Sequence, residues 1–180
     1  MSLSFKAHVQ ILLKEHRGER VFRFEYLGKY YWLKQPEQLK GIWLLLKPHP
    51  KQHFKEECEI LLYLNNIGAP VPKLCDFGDD YLVLEDAGPT LNIWLNDEKL
   101  SWAEKSHILH SAMEILISLH QKGIIHGRPA IRDIAWKEGK ISFMDFESHS
   151  KSHNEHWLIT RDMLAFLDSL CRVKSLDDEK

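Results

Sequence analysis

The spacing of apolar residues changes at Gly88, and that change constrains the fold more than any other feature of the chain. Before it, residues 21–26 and 30–35 are short runs of aromatic and branched side chains around LeuGlyLys, which predicts two antiparallel strands and a tight hairpin. KLCDFG and YLVLE, on either side of Asp79 and Asp80, predict a second pair of strands, entered through Pro70 and Pro72, which force an extended path. Residues 8–14 are expected to add a strand ahead of these. One helix interrupts them: Phe54, Cys58, Leu61, Leu62 and Leu64 repeat at helical spacing within 52–66, and Gly68 ends the run. After Gly88 the helical period takes over. Ser101 and Glu104 have capping-box spacing, and Ile108, Ala112, Ile115, Leu116 and Leu119 predict a helix over 102–122 that stops at Gly123. Short strands at 134–136 and 140–144 flank a GluGly turn, and 157–172 reads as a last helix. The expectation is an α+β chain: a β-rich part over 1–88, a helical part over 89–173 and a polar tail over 174–180.

With 180 residues, 44% of them hydrophobic, the chain can fill one core or two small ones. A net charge of -2 and a pI near 6.6 argue against a dominant basic surface, so neither general nucleic-acid binding nor an anionic membrane partner is expected. Cys58, Cys75 and Cys171 have no closely spaced mate, which predicts free buried thiols in a reducing compartment rather than disulfides or a zinc site. The opening residues lack the order of a signal peptide, and the apolar run from Ile42 to Leu46 is too short to cross a bilayer. A cytoplasmic protein is expected. His149, His153, Glu155 and His156 do not make a closed ligand set and read as a solvated stretch. The six tryptophans read as core residues or contacts between the two parts.

The residues that carry chemistry come in a fixed order. Lys34 lies in YYWLKQ, at the end of the expected third strand, and Glu57 in KEECEILLYL lies on the next helix, with Glu56 as a competing partner. YLVLEDAGPTL follows as a strand and turn. GIIHGRPAIRDIAWKEGKISFMDFE then joins a helix end, a loop with His126, a hairpin and a second loop with Asp145.

This last segment resembles the catalytic and metal-binding loops of protein-kinase-like folds, whose pattern is HxDxxxxN, a β-hairpin, and DFG or DFE. ECEILLYLNNIGAPVPKL and ITRDMLAFLDSL extend the resemblance over roughly residues 8–172, toward the minimal atypical kinases: RIO-type kinases, Kdo-type lipopolysaccharide kinases and the small kinase of the KEOPS tRNA-modification complex. The motifs do not choose among these three. The resemblance implies a two-lobed protein-kinase-like fold with ATP between a β-rich and a minimal helical lobe. It implies that Lys34 holds the α- and β-phosphates, that Glu57 fixes Lys34, and that the backbone from Glu85 to Ala87 meets the adenine edge. Asp145 and, seven residues after His126, Asp133 take the places of the Mg²⁺ ligands.

Two departures matter. Only Gly18 stands where a glycine-rich loop belongs, which leaves Arg17 and Arg20 as side-chain substitutes for phosphate-binding amides. Two residues after His126, in place of the catalytic aspartate, stands Arg128. A guanidinium cannot accept a proton from a hydroxyl, and loss of a general base typically costs about 10²–10⁴ in rate. Arg128 is therefore a candidate for binding a phosphate or an acidic substrate, or for neutralising Glu147; Arg132 is a candidate for touching phosphate or for pairing with Asp162. His126, Arg128, Lys34 and Glu57 form the catalytic candidates. The resemblance implies an ATP-dependent phosphotransferase acting on a protein, sugar or RNA-associated acceptor. The alternatives are a pseudokinase that binds nucleotide as a regulator or scaffold, or AMP transfer of the kind selenoprotein-O-type pseudokinases perform without this aspartate.

Overall fold

In the computed structural model, which describes residues 3–37, 50–146 and 154–173, the first element is helix α1 (Phe5–Glu15), where the sequence predicts a strand over 8–14. Ser4 caps it, its hydroxyl accepting the Ala7 amide at 3.3 Å. Val9 and Leu12 are buried and Leu13 is half-buried, a three-and-four spacing that only a helix brings to one side. Trp43, the run from Ile42 to Leu46, Glu147, His149, His153 and the 174–180 tail lie outside the described residues.

The chain divides into two compact units. The first comprises Met1–Asn65 and Pro72–Asp86, the second Asn66–Val71 and Ala87–Lys180. In the first, strands β1 (Val21–Tyr26) and β2 (Lys29–Lys34) form a hairpin in which Val21 pairs with Lys34 and Tyr26 with Lys29. Its two-residue turn sets both Leu27 (φ 50°) and Gly28 (φ 74°) in the left-handed region, the turn whose twist matches that of the strands. Helix α2 (Pro50–Asn66) leads to strands β3 (Leu74–Gly78) and β4 (Tyr81–Glu85), and the antiparallel sheet has the order β1-β2-β4-β3.

Each face of this sheet has its own helix. Val9 and Leu12 of α1 cluster with Phe24, Leu33, Tyr81 and Val83; Phe54, Cys58 and Leu61 of α2 cluster with Leu82 and Leu84. Covered on both faces, β4 buries four successive residues from Tyr81 to Leu84, whereas β1 fully buries only Phe24. Burying each such side chain contributes about 1.5–3 kcal/mol. Lys34 pairs with Leu82 across the sheet, so alternation sends its side chain toward α2.

The second unit contains helices α3 (Leu91–Leu95), α4 (Trp102–Gln121) and α5 (Glu155–Leu170), a 3₁₀ turn at Ile131–Asp133, and the hairpin of β5 (Ile134–Lys137) and β6 (Lys140–Phe143). The capping box expected at Ser101 and Glu104 is present in both directions. Glu138 (φ 50°) and Gly139 (φ 78°) repeat the left-handed turn of the first hairpin. The Phe143 amide donates to the Pro70 carbonyl at 2.7 Å, which ties the 66–71 segment to β6. Trp94 and Trp136 meet edge to face with centroids 5.1 Å apart, but Trp32, Trp102 and Trp157 are exposed rather than core residues. Among the described residues no helix is long and apolar enough to cross a membrane. All three cysteines are free thiols; Cys58 is buried as expected, while Cys75 is half-buried and Cys171 exposed.

Candidate functional site

In the first unit the end of β2 meets the middle of α2. Lys34 Nζ lies 2.5 Å from Glu57 Oε1, with both side chains mostly buried. The neighbouring Cys58 thiol is pushed up to about 11, by burial first and by the Glu57 charge second, which marks this as a poorly solvated place for a thiolate. Glu56 faces elsewhere: its Oε1 accepts from Gln52 Nε2 at 3.1 Å and its Oε2 lies 3.6 Å from His53. Of the two candidates, Glu57 is the partner of Lys34.

A cavity of about 330 Å³ opens beside the pair, lined by Arg20, Lys34, Gln35, Glu37, His53 and Glu57, among others. Arg20 is held there by Glu37 at 2.7 Å, so two cations line one cavity and each has a carboxylate to orient it. Arg17 is exposed and does not line it. Because α1 is a helix, Gly18 (φ 92°) lies in a helix-to-strand turn rather than in a loop between strands, and Lys34 lies on the second strand of the chain rather than the third.

At the end of β4 the Glu85 amide donates to the Lys73 carbonyl at 2.9 Å and the Asp86 amide to the Tyr30 carbonyl at 3.0 Å. The buried Asp86 carboxylate receives Arg23 Nη2 at 2.6 Å and Nε at 3.1 Å, and the Arg23 guanidinium stacks 4.0 Å from the Tyr30 ring centroid. The amides of Glu85 and Asp86 are thus engaged within the first unit, while the half-buried Ala87 has no such backbone–backbone bond to another described residue.

The second unit builds its loops on two buried side chains. His126 is fully buried; Nε2 donates to the Met144 carbonyl at 2.8 Å and Nδ1 accepts the Arg128 amide at 3.4 Å, which selects the tautomer with the proton on Nε2. Its ring packs 4.5 Å from that of Phe146 and 5.8 Å from that of Phe143. Asp162 of α5 is fully buried and accepts the His126 amide at 2.8 Å and the Gly127 amide at 2.9 Å, with His120 Nε2 at 3.2 Å. The Met144 amide donates to the Asp133 carbonyl at 2.8 Å. Both loops that flank the hairpin are thereby tied to one histidine and one buried carboxylate.

The two candidate metal ligands project from these loops. Asp145 is exposed and has a left-handed backbone (φ 56°), outside any two-residue hairpin turn, a conformation that costs a non-glycine residue about 1–3 kcal/mol unless its surroundings impose it. Asp133 is mostly buried and its pKa is raised, by burial first and by the Asp145 charge second, with Arg132 and Arg128 opposing. Arg132 Nε lies 3.7 Å from Asp133 Oδ1, so Arg132 pairs with Asp133 and not with Asp162. Arg128 is exposed, and its charge reaches Asp133.

Among the described residues no group of three or more His, Cys, Asp or Glu side chains makes a self-contained metal site. Two hard carboxylates fit Mg²⁺, which characteristically takes one or two protein carboxylates and completes its shell with phosphate and water. Sequence reasoning missed the keystone: Asp162 was noticed only as a partner for Arg132, because nothing local in ITRDMLAFL shows that it bonds amides 35 and 36 residues earlier in the chain.

No protein-family model matches the chain. Over 174 residues, 97% of this chain and 72% of the relative, it is 52% identical to an uncharacterized protein of Haemophilus influenzae (strain ATCC 51907 / DSM 11121 / KW20 / Rd).

Proposed function

We propose that this chain, which belongs to the same family as the Haemophilus influenzae protein, is an atypical ATP-dependent phosphotransferase with a protein-kinase-like fold. The observation that carries the reading is the pair of carboxylates in the second unit: burial first and the Asp145 charge second raise the Asp133 pKa, and Met144 ties the backbone beside one to the backbone of the other. Arg132 and Arg128 oppose this repulsion, and two hard oxygen donors on adjoining loops suit a divalent cation. Asp133 and Asp145 would hold Mg²⁺, which when bound neutralises charge on the nucleotide's phosphates.

Lys34 would bind phosphate oxygens, oriented by Glu57, and Arg20 in the same cavity would take over part of what glycine-loop amides do elsewhere. The backbone of Ala87 would meet the adenine edge. His126 has both ring nitrogens bonded and is fully buried, so it positions the loop and does not move substrate protons. Arg128 supports a second reading, in which nucleotide binding serves regulation or AMP transfer, because the residue two after His126 is a guanidinium and not a base.

Incubation with ATP labelled at either the α or the γ position separates these readings. Retention of γ label alone on an acceptor supports phosphoryl transfer. Retention of α label supports nucleotidyl transfer, and retention of neither by a chain that binds Mg-ATP supports the regulatory role.

A further inference from the structure

A second cavity, of about 320 Å³, lies within the second unit beside the 3₁₀ turn. The buried Ile131 forms part of its wall, and Arg128, Arg132, Arg172 and Asn92 bring donors to it. Among its described lining residues Asp168 is the single carboxylate, and it is engaged by Arg172 at 2.6 Å. Three guanidiniums thus line one cavity in a chain whose overall charge is -2, with Arg172 oriented by Asp168 and Arg132 lying 3.7 Å from Asp133. The Asn92 Oδ1 already accepts from Asn96 at 3.4 Å, which leaves its N–H groups as the useful half. Arginine forks match the paired oxygens of phosphate and carboxylate, a geometry a lysine does not reproduce.

We propose that this cavity is an oxyanion subsite that takes the phosphate or carboxylate group of the acceptor molecule. The role as an acceptor site rests on the phosphotransferase reading; the binding of an oxyanion does not. Arg128 connects the two, since it lines the cavity and its charge also favours the ionised form of Asp133. The subsite gives a physical reason for an arginine two residues after His126: a carboxylate there would face the acceptor's own negative charge.

The test titrates inorganic phosphate into the full chain at low ionic strength without nucleotide, followed by phosphorus NMR, alongside a separate Mg-ATP titration. The expected result is saturable phosphate binding that weakens with added sodium chloride. Arg172→Gln, a change at an exposed helix end, should weaken it about tenfold, as loss of a charged hydrogen-bonding partner does. Arg172→Lys should weaken it less, and Lys34→Ala should leave it unchanged. Absence of phosphate binding by the wild type, wild-type affinity in Arg172→Gln, or loss of binding in Lys34→Ala each overturns the subsite, the last by assigning the phosphate to the nucleotide anchor. Phosphate binding that needs Arg172 in a chain that does not bind Mg-ATP supports the subsite and removes the nucleotide reading instead.

Discussion

The first unit brings opposite charges together, whereas the second holds like charges together, and the two arrangements are stabilised by different means. Lys34 and Glu57 meet because sheet alternation and helix packing carry them to one place, and their attraction favours the contact that packing creates. Asp133 and Asp145 repel, so the second unit has to impose their proximity through His126, Met144 and the buried Asp162. An ion pair in a fold can be purely structural. Two carboxylates that a buried network brings to the loops of one hairpin, beside Arg132 and Arg128, are a more specific arrangement, and for that reason the proposed function rests on the second unit.

The second unit depends most heavily on Asp162. Asp162→Ala leaves two buried amides and His120 without their acceptor and should destabilise the second unit by about 3–5 kcal/mol, read by denaturant unfolding. A loss below about 1 kcal/mol would remove Asp162 as the keystone of the loops. In the first unit the expected effect is on binding: Glu57→Gln should weaken Mg-ATP binding about tenfold, while Glu56→Gln changes it less than about twofold. Equal effects from both would reduce the Lys34 pair to a structural contact.

The smallest effect concerns pH. Asp133 has a folded pKa above its unfolded value, so between the two the native state binds more protons and stability falls as pH rises. Asp133→Asn removes that term. Its melting temperature without metal should therefore equal or exceed that of the wild type at neutral pH, with the difference shrinking as pH falls toward the unfolded carboxylate range. A difference that grows in acid would contradict the assigned repulsion.

How much of this was legible in the sequence varied with the range of the interaction. Both hairpins, the capping box of α4 and the helical face of α2 follow from residues within a few positions of each other. Helix α1 was misread because HVQILLK is short enough for strand and helix periods to overlap, and the Ser4 cap and Phe5 that decide it lie just before that stretch. The five-residue α3 has too few turns to show a period. The Lys34 and Glu57 contact was expected only through the family resemblance, with Glu56 left open beside Glu57, and it took the packing of α2 on the sheet to decide between them. The left-handed backbone of Asp145 and the hydrogen bonds of Asp162 were not legible, since both are set by segments distant in the chain.

Binding of Mg-ATP with the help of Asp145 is tested directly by calorimetric titration of ATP with and without Mg²⁺ into the wild type and Asp145→Ala. The wild type should bind ATP at least about tenfold more tightly with Mg²⁺ than without, and Asp145→Ala should lose most of that enhancement. Unchanged Mg-ATP affinity in a folded Asp145→Ala would contradict the account.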